Sequence, residues 1–231
     1  MSAQPAWEIL ADVGQIARRA VELISAAARR AVEQRGAFRI VLAGGSTPQH
    51  CYRLLADTAQ EWPAWQVFFG DERCLPETDP ARNLHMARAQ LLAHVPISAT
   101  RIHCPAVELG CTAAAAAYAA LIRPQLPFDL ELLGVGEDGH TASLFPGRPH
   151  ALDALCEAVL DAPKSPPRRV SMGIAALRQT REVLVLASGA AKAPALARWL
   201  AQEPELPIFT VTRGLAGHVL VDREAAGGEP V

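Results

Sequence analysis

The sequence predicts an α/β protein, built on a mostly parallel sheet with helices on both faces. Three observations predict it. Short apolar runs of strand length alternate with longer segments whose apolar positions recur at helical spacing. Those runs carry few polar positions, as strands buried on both faces do. The 231 residues, half of them hydrophobic, are enough for one well-filled core. The prolines cluster in loops (Pro76 to Pro80, Pro163 to Pro167) and mark no composition shift, so a single domain over residues 1–231 is expected.

Each element follows from a local pattern. From Asp12 to Gln34, an apolar stripe of Val13, Ile16, Ala20, Leu23, Ile24, Ala27 and Val32 predicts an amphipathic helix that Gly36 ends. Phe38 to Ala43 (FRIVLA) is a buried strand stopped by Gly44-Gly45. Ser46-Thr47-Pro48 then offer a cap residue and a proline suited to a first helical turn. Trp65 to Gly70 (WQVFFG) predicts a second strand, and Asn83 to Leu92 and Cys111 to Ile122 predict helices. The second of these is rich in alanine, the best helix former. Strands are expected at Phe128 to Val135, Arg168 to Ile174, Glu182 to Ser188, Pro207 to Thr212 and His218 to Val221, with a helix around Lys192 to Ala201.

Composition narrows the function. A formal net charge of -2 provides no basic footprint for nucleic acid, although a few placed cations suffice for an anionic metabolite. The first residues, MSAQPAWEILADVG, lack a basic region followed by a continuous apolar core, so no signal peptide is expected. No stretch of membrane-spanning length escapes interruption by charge. Cys51, Cys74, Cys104, Cys111 and Cys156 are scattered and form no CxxC pair. They read as reduced thiols of a cytoplasmic protein, and cytoplasm is the expected place of work. His103, Cys104 and Cys111 lie near one another, but no ligand-type pair recurs elsewhere, so no metal is expected.

Two segments carry chemistry. Ala43-Gly44-Gly45-Ser46-Thr47-Pro48 follows a strand and opens a helix, at the carboxyl edge where parallel sheets usually bind ligands. Its glycines admit close backbone approach, the helix start offers N–H groups, and Ser46 and Thr47 add hydroxyls, which together suit a phosphate monoester. It is neither a nucleotide P-loop, lacking GK[ST], nor a nucleophile elbow, since Pro48 stands where GxSxG needs glycine. Leu133 to Gly147 (LGVGEDGHTASLFPG) contains a formal GxGxxG, but Glu137 and Asp138 beside a pyrophosphate would be repulsive. The pair Asp138 and His140 is more informative. A histidine near a helix start is biased toward the neutral form a general base requires, and a nearby carboxylate fixes its tautomer. The run Phe69-Gly70-Asp71-Glu72-Arg73 ends another strand at the same edge, and Arg73, Arg168, Arg169 and Lys192 are candidate cations.

Together, LAGGSTP (42–48), FFGDER with the downstream Asn83 (68–83) and LLGVGEDGHTASLFPG (132–147) make this chain resemble the 6-phosphogluconolactonase family, with weaker matches through Arg169-Val170 and Gly189 to Lys192. The resemblance implies a Rossmann-like sheet shared with glucosamine-6-phosphate deaminases. It further implies hydrolysis of 6-phospho-D-glucono-1,5-lactone in the oxidative pentose phosphate pathway, with no metal, organic cofactor or obligate protein partner. Carried over by position, His140 would activate water with Asp138 beside it. Gly44, Gly45, Ser46, Thr47, Arg169 and Lys192 would hold phosphate, and Arg73 would face the sugar or carboxylate end. The related deaminases carry a glutamate where Phe145 stands and a DEY triplet where this chain has Asp71-Glu72-Arg73, so both departures favour lactonase. A sugar-phosphate-binding regulator without catalysis is the remaining alternative, and no DNA-binding segment supports it.

Overall fold

Seven strands form a wholly parallel sheet in the computed structural model, which describes residues 4–228. Residues 1–3, part of the segment read for a leader, and 229–231 lie outside the described residues. The strands of this sheet are β1 (Ala6–Leu10), β2 (Phe38–Leu42), β3 (Trp65–Phe69), β5 (Ile102–His103), β6 (Phe128–Gly134), β9 (Thr180–Ala187) and β10 (Gly217–Asp222), in the spatial order β1-β10-β9-β6-β2-β3-β5. A smaller antiparallel sheet contains β4 (Asp71–Arg73), β8 (Arg169–Met172) and β7 (Cys156–Val159).

Helices cover both faces of the large sheet. On one side α1 (Val13–Arg35), α2 (Ser46–Ala56) and α3 (Asn83–Ala87) bury Ile16, Ile24, Tyr52, Leu55 and Leu84 against Ile40, Val67, Leu130 and Leu132. On the other, α4 (Cys111–Ile122), α5 (Ile174–Leu177), α6 (Ala193–Leu200) and α7 (Pro207–Thr212) press Tyr118, Leu177, Leu196 and Val211 onto Val41, Phe68, Leu133 and Val185. The alternation of β6 explains the division: Leu130 and Leu132 point to one face and Leu133 to the other. The helix boundaries at α1 have local causes, since the Asp12 carboxylate accepts from Gln15 N–H at 2.8 Å and Gly36 takes the left-handed φ of 73°.

Several expectations are corrected. Gly45, not Ser46, is the residue that caps α2, and Ser46 is the first helical residue. Arg168 to Ile174 yields a strand in the small sheet, not the parallel one. Asn83 to Leu92 is only helical in the ordinary sense to Ala87 and continues as a π-type turn over Arg88–Leu92. Pro207 to Thr212 is helix α7, because burying Ile208 and Val211 on one side outweighs the strand preference of branched residues. Proline at its first position fits the start of a helix. Cys74, directly after β4, is joined in a disulfide to Cys111 at the start of α4, with Cα atoms 6.1 Å apart. The reading of five reduced thiols therefore holds only for Cys51, Cys104 and Cys156. No described helix is long and apolar enough to cross a membrane.

One core residue stands apart. Glu131, between Val41 of β2 and Val183 of β9, is fully buried, and neither carboxylate oxygen has a hydrogen-bond partner among the described residues. Burial pushes its pKa well above the ordinary carboxylate value, so the group is a neutral acid in the sheet.

Candidate active site

The strand order reverses between β2 and β6: the chain runs outward from β2 to β3 and β5 on one side, and from β6 to β9 and β10 on the other. At such a switch point the loops leaving adjacent strands part and open a crevice at their carboxyl ends. A cavity of about 180 Å³ lies there. It is lined by Gly44 and Gly45 after β2, Asp71 and Arg73 after β3, Gly136 and His140 after β6, and Lys192 after β9. Lys164 and Arg169, from the small sheet and its preceding loop, complete the lining.

Backbone anchors fix the edge of this cavity. The Tyr52 hydroxyl donates to the Ala43 carbonyl at 2.8 Å and accepts from the Ala43 N–H at 2.9 Å, holding the chain where the glycine turn begins. Tyr118 does the same for the end of β3, accepting from Phe69 N–H at 2.9 Å and donating to its carbonyl at 3.1 Å. Gly44 is required by crowding, since a Cβ there would lie 2.2 Å from the Asn83 amide oxygen. Gly136 is required too: a Cβ would fall 1.9 Å from His140 Nδ1, so the imidazole occupies the space a side chain would take.

His140 is oriented by its neighbour. Nδ1 lies 2.5 Å from an Asp138 carboxylate oxygen, and the same oxygen accepts the His140 backbone N–H at 3.2 Å. A carboxylate accepts only, so Nδ1 carries the proton and Nε2 holds a lone pair in the neutral ring. Burial lowers the His140 pKa, overriding the opposing pull of Asp138. Burial works the other way on Asp138, but the charge and hydrogen bonds of His140 outweigh it and hold the carboxyl below its usual range. The expected helix start is absent: residues 141 to 144 form a turn with a single Thr141–Leu144 bridge, and Ala142 adopts φ 49°. Desolvation, not a helix dipole, therefore keeps the ring neutral.

The cations come together around this base. Arg73 and Arg169 are directly opposed across the β4–β8 pair. Arg169 is buried, donates to the carbonyls of Pro166 and Lys164 at 2.9 Å each, and lies 4.0 Å from the Asp71 carboxylate. Burial lowers its pKa against the pull of Asp71. Arg73 donates to the Ala81 carbonyl. Lys192, after the Gly189 turn, has its pKa lowered by burial, with Glu137 opposing the shift. Ser46, Thr47, Arg168 and Asp138 do not line the cavity: Ser46 and Arg168 are exposed, and Asp138 reaches the site only through its hydrogen bond to His140.

Two charged lining residues, Asp71 and Lys164, were not among the candidates read from the sequence. Asp71, which the sequence placed only in the run that ends β3, accepts from Asn83 Nδ2 at 2.9 Å and Ser143 Oγ at 2.6 Å, ties that span distant segments. Lys164 sits in a proline-rich loop with no local signal and lies 3.6 Å from Glu137 across the mouth. Glu72 belongs to the scaffold, since its fully buried carboxylate accepts the Asn83 and Leu84 N–H groups at 2.7 and 2.9 Å and caps α3. Among the described residues, no group of three or more His, Cys, Asp or Glu is arranged to hold a metal.

Comparison with known proteins places the chain in a family. The family model described as glucosamine-6-phosphate isomerases/6-phosphogluconolactonase matches residues 11–220. A 6-phosphogluconolactonase of Mycobacterium tuberculosis is 39% identical over 235 residues, covering 90% of this chain and 94% of that protein. That of Streptomyces coelicolor is 39% identical, covering 74% of each. The crystal structure of 6-phosphogluconolactonase from Thermotoga maritima superposes with a TM-score of 0.88 at 28% identity, covering 95% of this chain and 100% of the other. A monomeric glucosamine-6-phosphate deaminase has a TM-score of 0.82 at 21% identity, covering 97% and 100%, and shares the fold.

Proposed function

The chain belongs to the glucosamine-6-phosphate isomerase/6-phosphogluconolactonase family, and from that premise we propose that it hydrolyses 6-phospho-D-glucono-1,5-lactone to 6-phospho-D-gluconate. The observation that carries the reading is the His140–Asp138 pair, whose ring lines the same cavity as Arg73, Lys164, Arg169 and Lys192. That is one base and four cations for a substrate with one ester carbon and one phosphate.

In this reading the phosphate lies among Arg169, Lys192, Lys164 and the Gly44-Gly45 turn, and Arg73 faces the sugar or carboxylate end. His140 Nε2 takes a proton from water as the water oxygen adds to the lactone carbonyl, while Asp138 stabilises the imidazolium that forms. The ring C–O bond then breaks, and the imidazolium returns its proton to the departing ring oxygen. A δ-lactone is an activated ester, so a positioned base and water suffice, and no covalent nucleophile is needed. The reading treats residues 1–231 as one lactonase domain working in the cytoplasm, with neither a metal nor an organic cofactor. Phe145, buried at the position of the deaminase glutamate, supplies no acid or base for opening an amino sugar.

The test is hydrolysis of freshly prepared lactone by chelator-treated protein, followed against the spontaneous rate. Acceleration without added metal is expected. No acceleration, or ammonia release from glucosamine 6-phosphate in its place, would overturn the assignment.

A further inference from the structure

Outside the cavity, a histidine that the mechanism does not use is held on both sides. His150 Nδ1 lies 2.7 Å from a Glu157 carboxylate oxygen on β7, and its Nε2 lies 2.9 Å from the Phe145 carbonyl oxygen. Both partners are acceptors only, so both ring nitrogens must donate, and only the imidazolium satisfies the two contacts. The side chain is mostly buried, with a relative exposure of 12%. Its surroundings favour the charge: the Glu157 hydrogen bond raises its pKa against the opposing effects of burial and of Arg148. Arg148, itself paired with Asp161, and Glu205 are the other charged groups around the adjoining hollow.

The grip matters because of what Phe145 touches. Its ring is fully enclosed, and its centroid lies 4.7 Å from that of the His140 imidazole, tilted by 41°. Arg169 is a second neighbour, with its guanidinium carbon 5.5 Å from the centroid of the same ring. Phe145 is thus the wall on which the base rests. The turn of residues 141 to 144 that leads into it contains the left-handed Ala142, a backbone conformation that persists only where surrounding contacts impose it.

We propose that His150, clamped between Glu157 and the Phe145 carbonyl, is a positioning residue of the hydrolytic site, fixing the Phe145 ring and through it the imidazole of His140. Arg169 is held independently by the carbonyls of its own loop, so loosening Phe145 disturbs the base more than the phosphate grip. The kinetic consequence rests on the lactonase reading; the protonation state of His150 does not.

Two measurements separate these. Histidine-labelled protein, with His150 assigned from the spectrum of the His150→Gln variant, is expected to show His150 as an imidazolium and His140 as a neutral ring near neutral pH. In lactone hydrolysis, His150→Ala is expected to lower kcat about tenfold with KM changed by less than about twofold, the pattern of a displaced base. His150→Gln, whose amide N–H can still donate to the Phe145 carbonyl, should recover most of the loss. Glu157→Gln should lower the pH at which His150 loses its proton. A neutral His150 ring, a wild-type kcat in His150→Ala, or equal losses in the alanine and glutamine variants would overturn the proposal. If the wild type itself hydrolyses no lactone, the functional reading fails, and the magnetic resonance arm still decides the state of His150.

Discussion

Glu131 should make this protein less stable as the pH rises, and replacing it should stabilise the fold. In the folded chain its acid group keeps its proton, because burial raises its pKa and neither oxygen is hydrogen-bonded. In the unfolded chain it ionises near the ordinary value of 4.5. Above that pH the unfolded state has released a proton that the folded state retains. Stability then falls by about 1.4 kcal/mol per pH unit, until the folded group also ionises. Below pH 4.5 the two states bind the same proton and this contribution is flat. Glu131→Gln removes the titration but keeps the volume and the unpaired polar atoms. The difference in unfolding free energy between wild type and this variant should therefore grow with pH at that slope, with other titrating groups cancelling. Glu131→Met also removes the unpaired oxygens, worth about 1–3 kcal/mol for one buried unsatisfied group. For a chain of this size, 2 kcal/mol corresponds to a rise of roughly 4–8 °C in Tm. Urea unfolding at several pH values from 4 to 8 measures the first effect and thermal unfolding the second. Parallel pH profiles for wild type and Glu131→Gln, or a lower Tm for Glu131→Met, would refute the reasoning.

The remaining predictions concern the site and the cysteines. His140→Ala should lower kcat by about 10²–10⁴-fold and leave KM nearly unchanged, measured by steady-state hydrolysis of the lactone. Because burial lowers the His140 pKa, the acid limb of the wild-type rate profile should fall below the ordinary histidine value of 6.5; a limb above it would contradict the desolvation argument. Lys192→Ala should weaken binding of the phosphorylated lactone by about ten- to a hundredfold, the worth of one charge-assisted contact. It should scarcely affect unphosphorylated gluconolactone, and equal losses on both would assign Lys192 another role. Alkylation of the denatured, unreduced protein should modify three of the five cysteines, with Cys74 and Cys111 reacting only after reduction.

The interior of the fold was legible because its strands are buried on both faces and read as mostly apolar runs, each with few polar positions. FRIVL and WQVFF are the clearest, and both fall where expected. Strand β1 was missed, since AWEIL at the sheet edge keeps a mixed and partly exposed pattern. Strand β4 was missed because three charged residues, Asp-Glu-Arg, carry no apolar signal, and only pairing with β8 makes them a strand. At the candidate site, His140, Asp138 and Gly44-Gly45 were legible as candidates because their chemistry is local in sequence. The partners of Asp71 lie 12 and 72 residues away, at Asn83 and Ser143, a relation that only the assembled fold creates. Ser46 and Thr47, expected beside Gly44-Gly45, lie off the cavity for the opposite reason. The glycine takes the capping position, which turns the hydroxyl residues into the first turn and off the cavity.

Among the described residues, the edge strand β1 pairs with β10 alone, with Ala6 opposite His218. β1 precedes every other described strand and yet has no place to dock until β10 has been made. The interior strands β2, β3, β6 and β9, whose carboxyl ends form the cavity, can pair among themselves before that happens. A chain halted before Gly217 would hold the Val183 to Ala187 edge of β9 open to solvent, with an apolar amino-terminal segment loose beside it. Open edges and unpaired apolar strands are the features by which nascent chains associate with one another. β10 is therefore the strand that seals the sheet; its Asp222 also accepts from the Gly189 N–H at 3.0 Å, so its loss would both open an edge to aggregation and free the turn that leads to Lys192.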